Sequence, residues 1–237
     1  MWNERTQLLI HEDNVKRLQQ CNVLIVGVGG VGAYSAEHIC RSGIGAITIV
    51  DADSVSESNI NRQLIALHST IGIPKVELMR DRMLDINPEL RIEARNMFVN
   101  PDNIPEIVGS QHFDYIVDAI DTIAPKIALL TYAYNHNIPV ISSMGAGGRT
   151  DPTKISVTDI SKTYNDKLAS VVRQRLRKEG IKSGIKVVFS TEVADTEAVM
   201  QTPGARNQCS VRGTVSYIPA LFGTMIAGTV IKDLITK

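Results

Sequence analysis

The stretch NVLIVGVGGVG, residues 22–32, decides the fold. Its first part, Asn22–Val26, is a short apolar run that predicts a strand and stops abruptly at Gly27. Helical periodicity follows from about Val31 to Arg41. Glycine permits positive φ and lets the backbone approach phosphate oxygens, and a helix N-terminus offers free N–H groups. This order of strand, glycines and helix predicts a nucleotide-binding turn made by Gly27, Gly29, Gly30 and Gly32.

The spacing in sequence between the glycines and the next acidic residue is informative. The next apolar run, Ala46–Val50, predicts a second strand that ends at Asp51. A carboxylate about 20 residues after the turn is expected to bind a ribose hydroxyl. The chain has no GxxxxGK[ST] loop, and the turn with its acid suggests NAD as readily as ATP. A tight turn that needs glycine only for packing is the alternative.

Strand-like and helical segments alternate through the first half of the chain. Alternation of this kind predicts an α/β, Rossmann-like doubly wound sheet, largely parallel, with helices on both faces. The further helices are predicted at Lys75–Ile86 and Ala124–Asn135, and the further strands at Arg91–Ala94, Tyr115–Val117 and Val140–Ser142.

The pattern changes after about Gly148. We expect strands at Ile155–Thr158 and Val187–Phe189, a basic helix at Asp166–Glu179 and a long polar loop at Ser190–Arg212. No linker separates these segments from the first half. We therefore expect a single domain over residues 1–237, with a nucleotide-binding core at 1–148. Residues 149–237 add a substrate-side elaboration of extra strands and helices and a C-terminal core helix.

Polar residues that suit triphosphate chemistry follow the predicted strands. SNINRQ, residues 58–63, is rich in hydrogen-bond donors, and Lys75 opens a helix directly after Pro74. Asp118 and Asp121 follow the fourth strand, so we expect both carboxylates at the carboxyl edge of the sheet, where ligands bind. Cations can neutralise charge on phosphates and a carboxylate can hold Mg²⁺, whereas hydride transfer needs neither.

Composition excludes several classes of protein. Of 237 residues, 43% are hydrophobic and 21% are charged, which is unlike a disordered chain. Lys and Arg total 25 and so do Asp and Glu, so a protein that is basic over its whole surface is excluded.

Cysteine usage and hydropathy predict a cytoplasmic protein. Three cysteines without any CxxC pair, Cys21, Cys40 and Cys209, give neither a disulfide framework nor a zinc site. The first 20 residues contain no apolar run of signal-peptide type. The longest apolar stretch, Pro219–Ile231, is shorter than the roughly 20 residues of a membrane span.

The motifs GVGGVG, VDADSV, SNINRQ, IGIPK and DAID together resemble an adenylating family. That family includes ubiquitin-activating enzymes and bacterial relatives of thiamine and molybdopterin synthesis. The resemblance implies that residues 27–32 bind the phosphates of ATP and that Asp51 binds its ribose, with Asp53 beside it. It assigns catalytic roles to Arg62, Lys75 and Asp121, with Asp121 as the Mg²⁺ ligand and Asn59 and Gln63 as further phosphate contacts. It also implies a homodimer, in which Arg5 reaches the ATP of the other subunit.

The second half resembles one branch of this family. The segments MGAGGRTDPTKISVTDISKT, DKLASVVRQRLRKEGI, VVFSTE and GTVSYIPALFG are similar to members that dehydrate threonylcarbamoyladenosine, the modified adenosine beside the anticodon of certain tRNAs. The resemblance implies ATP-dependent cyclisation through a carboxyl-adenylate. Because the attacking nitrogen is already tethered to the carboxyl group, no enzyme cysteine is required, and Cys209 is interpreted as a loop thiol.

Three alternatives stay open. Adenylation of a ubiquitin-like sulfur carrier is disfavoured by the absence of two CxxC zinc pairs from the sequence. An NAD-dependent oxidoreductase is disfavoured by the phosphate-binding residues. A non-catalytic nucleotide-binding scaffold is disfavoured because Arg62, Lys75 and Asp121 are all present.

The zero net charge conceals one basic segment. Residues 162–186 contain eight basic and two acidic residues, a net charge of +6, and the rest of the chain carries 17 basic and 23 acidic residues. A local basic helix on an acidic protein suits an RNA backbone, although a solvated helix face is the commoner meaning of such a run. The predicted tRNA contacts are Arg173, Arg175, Arg177, Lys178 and Lys182.

Overall fold

One seven-stranded sheet forms the centre of the molecule. The structure is a computed structural model, and it describes residues 2–201 and 210–236. The sheet order is β3-β2-β1-β4-β5-β7-β6. Neighbouring strands are parallel from β3 to β7, and only β6 runs antiparallel, against β7. The strands are β1 (Asn22–Val26), β2 (Ala46–Asp51), β3 (Arg91–Asn96), β4 (Tyr115–Asp118), β5 (Val140–Ser143), β6 (Ile155–Asp159) and β7 (Lys186–Ser190).

Helices cover both faces of this sheet. The described helices are α1 (Glu4–Ile10), α2 (Glu12–Gln20), α3 (Gly32–Arg41), α4 (Lys75–Ile86), α5 (Ile104–Gly109), α6 (Ile123–Asn135), α7 (Lys167–Lys178) and α8 (Tyr217–Thr236). Apolar residues of α2, α3, α4 and α8 pack on one face, and those of α5, α6 and α7 pack on the other. The central strands are apolar on both sides because each side is buried, as is usual for a parallel sheet. The α/β, Rossmann-like prediction is confirmed.

The order of the strands creates the site. β1 lies between β2 and β4. The chain passes from β1 to β2 and β3 on one side, and then crosses to β4 and β5 on the other side of β1. Ligands of open α/β sheets bind at such a switch point, outside the carboxyl ends of the strands. The glycine-rich turn follows β1 at this edge, and Asp51 and Asp118 end the two flanking strands.

Two strands interrupt the segment that the sequence predicted as one long loop. β8 (Val199–Gln201) and β9 (Ser210–Arg212) pair antiparallel as a separate two-stranded sheet. The loop prediction for Ser190–Arg212 is wrong at these two strands, because each is only three residues long and too short to show periodicity. Cys209 lies outside the described residues.

The C-terminal helix is longer than its apolar run. α8 has 20 residues with a mean hydropathy of 1.5, so its length and composition alone would permit a membrane span. The prediction that this segment is too short is therefore wrong, since the helix extends past the apolar run at both ends. Phe222, Ile226 and Val230 are fully buried in the core against the sheet, as in a core helix.

Candidate active site

Two glycines of the turn are required by close packing. Gly27 has φ +94°, and a Cβ there would lie 2.7 Å from the carbonyl oxygen of Ala119, in the loop after β4. A Cβ on Gly32 would lie 1.8 Å from the carbonyl oxygen of Gly27. Only glycine lets the start of α3 pack this closely on the end of β1.

The turn is open on the side of Gly29. A Cβ on Gly29 would meet only the Nε2 of Gln63, at 3.8 Å, whereas one on Gly30 would lie 3.2 Å from the Cβ of Pro219 and 3.5 Å from the Cγ of Arg62. This open side faces residues predicted to contact phosphates. The turn and the N-terminus of α3 can therefore receive a phosphate group there.

Two glycine variants should separate packing from ligand binding. We expect Gly32→Ala to lower the melting temperature sharply, because its Cβ has no space. Gly29→Ala should leave the melting temperature unchanged and weaken ATP binding about tenfold, because its Cβ occupies the side from which phosphate approaches. Thermal unfolding and nucleotide titration measure the two effects. Equal behaviour of both variants would contradict this division.

Asp51 organises the region beside the turn. Its Oδ2 accepts a hydrogen bond from the Val28 N–H at 2.6 Å, and its Oδ1 accepts one from the Asp53 N–H at 2.8 Å. Burial raises the pKa of Asp51, and the charge of Lys75 and these two backbone N–H groups act against that rise. Each oxygen keeps a free acceptor direction, so the carboxylate can still bind a ribose hydroxyl.

Lys75 lies beside Asp51 and Asp53. Its side chain is buried, and its Nζ donates to Asp53 Oδ2 at 2.8 Å. An ammonium group has three donors, so one contact to Asp53 leaves others for a phosphate. Asp53 itself is exposed and acts on the site through Lys75.

The SNINRQ segment lies beside the glycine-rich turn, with Gln63 next to Gly29 and Arg62 next to Gly30. Arg62 Nη1 donates to the Ser58 carbonyl oxygen at 2.7 Å and to Asn61 Oδ1 at 2.9 Å, and no ion pair to Arg62 occurs within residues 2–201 and 210–236. Burial lowers the pKa of Arg62, and the charge of nearby Asp121 opposes this. A half-buried arginine whose Nη1 is oriented by a carbonyl and an amide oxygen is well suited to bind an anion with its remaining donors.

Asn59 and Gln63 differ in their roles. Asn59 is buried, and its Oδ1 accepts a hydrogen bond from the Ser56 N–H at 3.2 Å, so it holds the local turn. Gln63 is also buried, and its Oε1 has no partner within the described part of the chain. The Nε2 of Gln63 is the atom that lies toward Gly29, where an amide N–H can donate to a phosphate oxygen.

The two aspartates after β4 are not equivalent. Both follow or end β4 at the carboxyl edge of the sheet, as predicted, but Asp118 is fully buried and is therefore not accessible to a ligand. Asp121 is exposed, accepts a hydrogen bond from Thr122 Oγ1 at 3.1 Å and lies near enough to Arg62 to affect its pKa. Asp121 is thus the carboxylate available to a ligand.

The partner of Asp118 was not predicted from the sequence. Lys126 of α6 is fully buried, and its Nζ donates to Asp118 Oδ2 at 2.6 Å and to Ser142 Oγ and the Ser143 carbonyl oxygen, both at 3.0 Å. Asp118 Oδ1 accepts a hydrogen bond from the Ile120 N–H at 3.1 Å. This network ties the ends of β4 and β5 together and holds the loop that carries Asp121. A lysine within the apolar run IAPKIALL was the only signal.

A second buried ion pair was also missed. Arg149 and Asp166 are both buried, with Arg149 Nη2 at 3.2 Å from Asp166 Oδ2. Asp166 Oδ2 also accepts a hydrogen bond from the Gly145 N–H at 3.1 Å, and its Oδ1 accepts one from the Ala169 N–H at 2.9 Å. The pair therefore joins the glycine-rich loop after β5 to the N-terminus of α7.

A cavity of about 590 Å³ adjoins Arg62. Its size lies within the range of small-molecule sites. One wall belongs to the SNINRQ region and the other to the β8–β9 hairpin, and Asn61 Nδ2 joins them by donating to the Thr214 carbonyl oxygen at 2.9 Å. The lining residues are Glu57, Ser58, Asn61, Arg62, Glu197, Ala198, Val199, Arg212, Gly213 and Thr214.

Arg5 is not brought to this site within one protomer. It is exposed on α1, which packs against α2. The preceding Asn3 lies 3.8 Å from a Cβ built on Gly43, in the loop that leads into β2. That loop and the glycine-rich turn lie at opposite edges of the sheet. Leu8 and Leu9 of α1 are 75% and 80% exposed.

Four of the five predicted nucleic-acid contacts lie on α7 and Lys182 follows it, but Arg173 differs from the others. Arg175, Arg177, Lys178 and Lys182 are exposed. Arg173 is half-buried, and its Nη1 donates to the Thr163 carbonyl oxygen at 2.9 Å. Arg173 thus has a structural bond that a substitution would break.

Metal ligands and thiols are scarce around the site. Within residues 2–201 and 210–236 no cluster of three or more His, Cys, Asp or Glu side chains could enclose a metal ion. Mg²⁺ commonly uses one or two carboxylates together with substrate phosphates, and exposed Asp121 fits that use. Cys21 and Cys40 are buried, and burial raises the pKa of Cys40 to about 12, which keeps this thiol protonated and unreactive at neutral pH.

These residues together can bind a nucleotide and stabilise negative charge on its phosphates. The turn offers backbone N–H groups, Lys75 and Arg62 offer cations, and Asp121 offers a metal ligand. Desolvation strengthens such interactions at the half-buried Arg62. Phosphate chemistry, and not hydride transfer, is what this set of groups serves.

Comparison with known proteins agrees with this description. The chain is 42% identical to a tRNA threonylcarbamoyladenosine dehydratase of Bacillus subtilis, over 98% of this chain and 93% of the relative. It is 37% identical to the enzyme of that name from Escherichia coli, over 100% of this chain and 95% of the relative. A crystal structure of the Escherichia coli tRNA N6-threonylcarbamoyladenosine dehydratase in complex with ATP superimposes with a TM-score of 0.88 at 36% identity, covering 99% of this chain and 95% of that one. The model of the ThiF family matches residues 4–237, so the chain belongs to the ThiF family.

Proposed function

We propose that this protein uses ATP to dehydrate threonylcarbamoyladenosine in tRNA, closing the threonylcarbamoyl group into a ring. The observation that carries the proposal is the placement of Arg62 and Asp121 beside the open side of the glycine-rich turn. Such a site activates a carboxylate, and similarity over nearly the whole chain to enzymes named for this reaction supports the substrate.

ATP activates the carboxylate of the substrate, which by itself is a poor electrophile. A carboxylate oxygen of the substrate attacks the α-phosphorus and pyrophosphate leaves, giving a carboxyl-adenylate. A nitrogen of the same modification then attacks the acyl carbon and loses a proton, and AMP leaves with the former carboxylate oxygen. Because nucleophile and electrophile share one molecule, effective molarity is high and an enzyme thiol is unnecessary.

The protein's own residues position ATP and neutralise the charge on its phosphates. The N–H groups of residues 27–32 face the phosphates, Asp51 and Asp53 hold the nucleoside side of the site, and Asn59 and Gln63 order the phosphate side. Arg62 and Lys75 offset the charge that develops on the leaving pyrophosphate. Asp121 would hold Mg²⁺, which would supply further charge neutralisation when bound. The cavity beside Arg62 receives the threonylcarbamoyl group.

The assembly we propose is a homodimer in the cytoplasm. Arg5 lies far from the site of its own protomer, and the exposed Leu8 and Leu9 beside it are suited to burial in an interface. In that arrangement Arg5 completes the ATP site of the partner. A tRNA substrate supports the cytoplasmic location.

The test is a reaction with purified components. The protein is incubated with ATP, Mg²⁺ and tRNA that carries threonylcarbamoyladenosine, and nucleosides are then analysed by mass spectrometry. We expect loss of one water from the modified nucleoside, only when ATP is present. No loss with fully modified tRNA would refute the proposal, and ATP–pyrophosphate exchange with a ubiquitin-like carrier instead would favour the sulfur-carrier alternative.

The basic helix gives a separate prediction for tRNA binding. We expect Arg175→Glu with Arg177→Glu to raise the Kd for tRNA about tenfold or more at physiological salt, because both side chains are exposed to phosphates. Arg173 is left intact because it supports Thr163. Filter binding measures the change, and the Kd for ATP should not move. Arg80→Glu with Arg91→Glu, at the far end of the sheet, is the control of equal charge, and an equal loss of tRNA affinity there would contradict a local contact.

A further inference from the structure

An exposed aromatic ring stands at the start of the basic helix. Tyr164 is 56% exposed. Its ring meets Phe189 of β7 edge to face, with centroids 5.7 Å apart and planes at 75°. Phe189 is buried, so one part of the tyrosine ring is packed against the core while more than half stays open to solvent.

The backbone on both sides of this ring is fixed. Arg173 Nη1 donates to the Thr163 carbonyl oxygen at 2.9 Å, and Asn165 Nδ2 donates to the Thr191 carbonyl oxygen at 3.0 Å. Asn165 takes the left-handed conformation, with φ +56°. The ring is thus presented by an ordered segment, and a ligand that contacts it pays little for ordering the protein.

The same segment is joined to the loop beside the active site. Asp166, two residues after Tyr164, binds both the Gly145 N–H and Arg149. Gly145 follows β5, the neighbour of the strand whose end carries Asp118 and leads to Asp121. Tyr164 therefore lies at the carboxyl edge of the sheet, on the same edge as the nucleotide site.

The charged residues around Tyr164 indicate what kind of ligand this ring binds. Lys162 and Lys167 flank the ring in sequence and are exposed, and the basic side chains of α7 continue along the helix for about 18 Å. The exposed aromatic residues Trp2, Phe98 and Tyr134 lie outside this basic segment. Basic side chains that bind a backbone, next to an aromatic ring that can stack, are how proteins bind unpaired RNA bases.

We infer that Tyr164 is a stacking platform for an unpaired nucleobase of the anticodon loop, next to the modified adenosine. The inference rests on the proposed function and deepens it. The basic side chains of α7 bind phosphates of the stem, while Tyr164 binds one base and brings the loop to the sheet edge where Asp121 lies.

Substitution of the ring tests the inference. Tyr164→Ala should raise the Kd for modified tRNA about 5- to 100-fold, the range of one lost base–aromatic stack. Tyr164→Phe should bind as the unaltered protein does, because the ring face remains. The Kd for ATP should stay constant in both. Phe98→Ala is the matched control, since Phe98 is 57% exposed and follows β3, the edge strand at the opposite end of the sheet from β7 and β6.

Fluorescence gives a second readout. An anticodon stem-loop RNA with 2-aminopurine beside the modified adenosine should be quenched on binding, and Tyr164→Leu should abolish the quenching. Leucine keeps an apolar contact with Phe189, so this variant serves if the alanine variant unfolds.

The outcomes separate this inference from the proposed function. Unaltered tRNA affinity of Tyr164→Ala, or unaltered quenching in Tyr164→Leu, overturns the inference while dehydration by the unaltered protein upholds the function. Absence of dehydration by the unaltered protein refutes the function itself. Changed self-association of Tyr164→Ala with normal tRNA affinity would show that the ring covers a protein surface, and would also overturn the inference.

Discussion

Asp121→Ala is expected to lower ATP-dependent dehydration of tRNA by about 100- to 1,000-fold, the size of effect seen when one preorganised charge-stabilising group is removed. The physical reason for this loss is the position of the Asp121 carboxylate. Asp121 is the exposed carboxylate of the loop after β4, and it lies near Arg62 at the open side of the glycine-rich turn. Loss of its charge weakens Mg²⁺ binding where the pyrophosphate leaves.

The measurement is the rate of dehydration as a function of Mg²⁺ concentration. Asp121→Ala should require more Mg²⁺, whereas its melting temperature should match that of the unaltered protein. Glu89→Ala removes an exposed carboxylate at the opposite edge of the sheet and should leave the rate unchanged. Cys209→Ala should also keep activity, because the nucleophile is tethered to the substrate. An active Asp121→Ala enzyme with an unaltered Mg²⁺ requirement would exclude Asp121 as the metal ligand.

Lys126→Met is expected to destabilise the fold by about 3–5 kcal/mol, because it leaves the carboxylate of Asp118 buried without its counter-charge. For a chain of this length the melting temperature should fall by roughly 10 °C. Asp118 would keep only Ser142 Oγ, at 2.6 Å, and the Ile120 N–H as donors. Neither carries a charge, so burial of the carboxylate is no longer compensated.

A double variant identifies the cause. Asp118→Asn with Lys126→Met removes both charges, and we expect it to be more stable than Lys126→Met alone, since no unpaired charge stays buried. Lys154→Met, at an exposed lysine, controls for the loss of a positive charge. Urea unfolding of the four proteins measures the coupling. Equal stability of the single and double variants would show that the pair is not coupled as the structure indicates.

The elements that the sequence predicted well are those with a strong local pattern. The helix Lys75–Ile86 begins and ends where periodicity and Pro74 place it. The glycine turn is equally local, because Gly27 and Gly32 are required by backbone geometry within a few residues of each other. The short strands of the β8–β9 hairpin were missed, because three-residue strands carry too few positions for alternation to be visible.

The basic segment, too, has some features that the sequence predicts and others that only the structure shows. Its net charge and its helical character are readable from composition and periodicity. The separate role of Arg173 is not, since that depends on Thr163 lying within 2.9 Å of its guanidinium. Tyr164 likewise becomes noticeable only when its exposure and its contact with Phe189 are known.

The sequence by itself determined that this chain folds around a nucleotide-binding turn and carries phosphate-chemistry residues at the ends of its strands. Those properties follow from neighbouring residues, through strand and helix periodicity and the conformational freedom of glycine. Only the tertiary structure decided that Asp118 is buried while Asp121 is exposed, and that Lys126 and Arg149 hold the loops from within. Each of these depends on charges brought together from separate strands and helices in a low-dielectric interior, where an unpaired charge is too costly to remain.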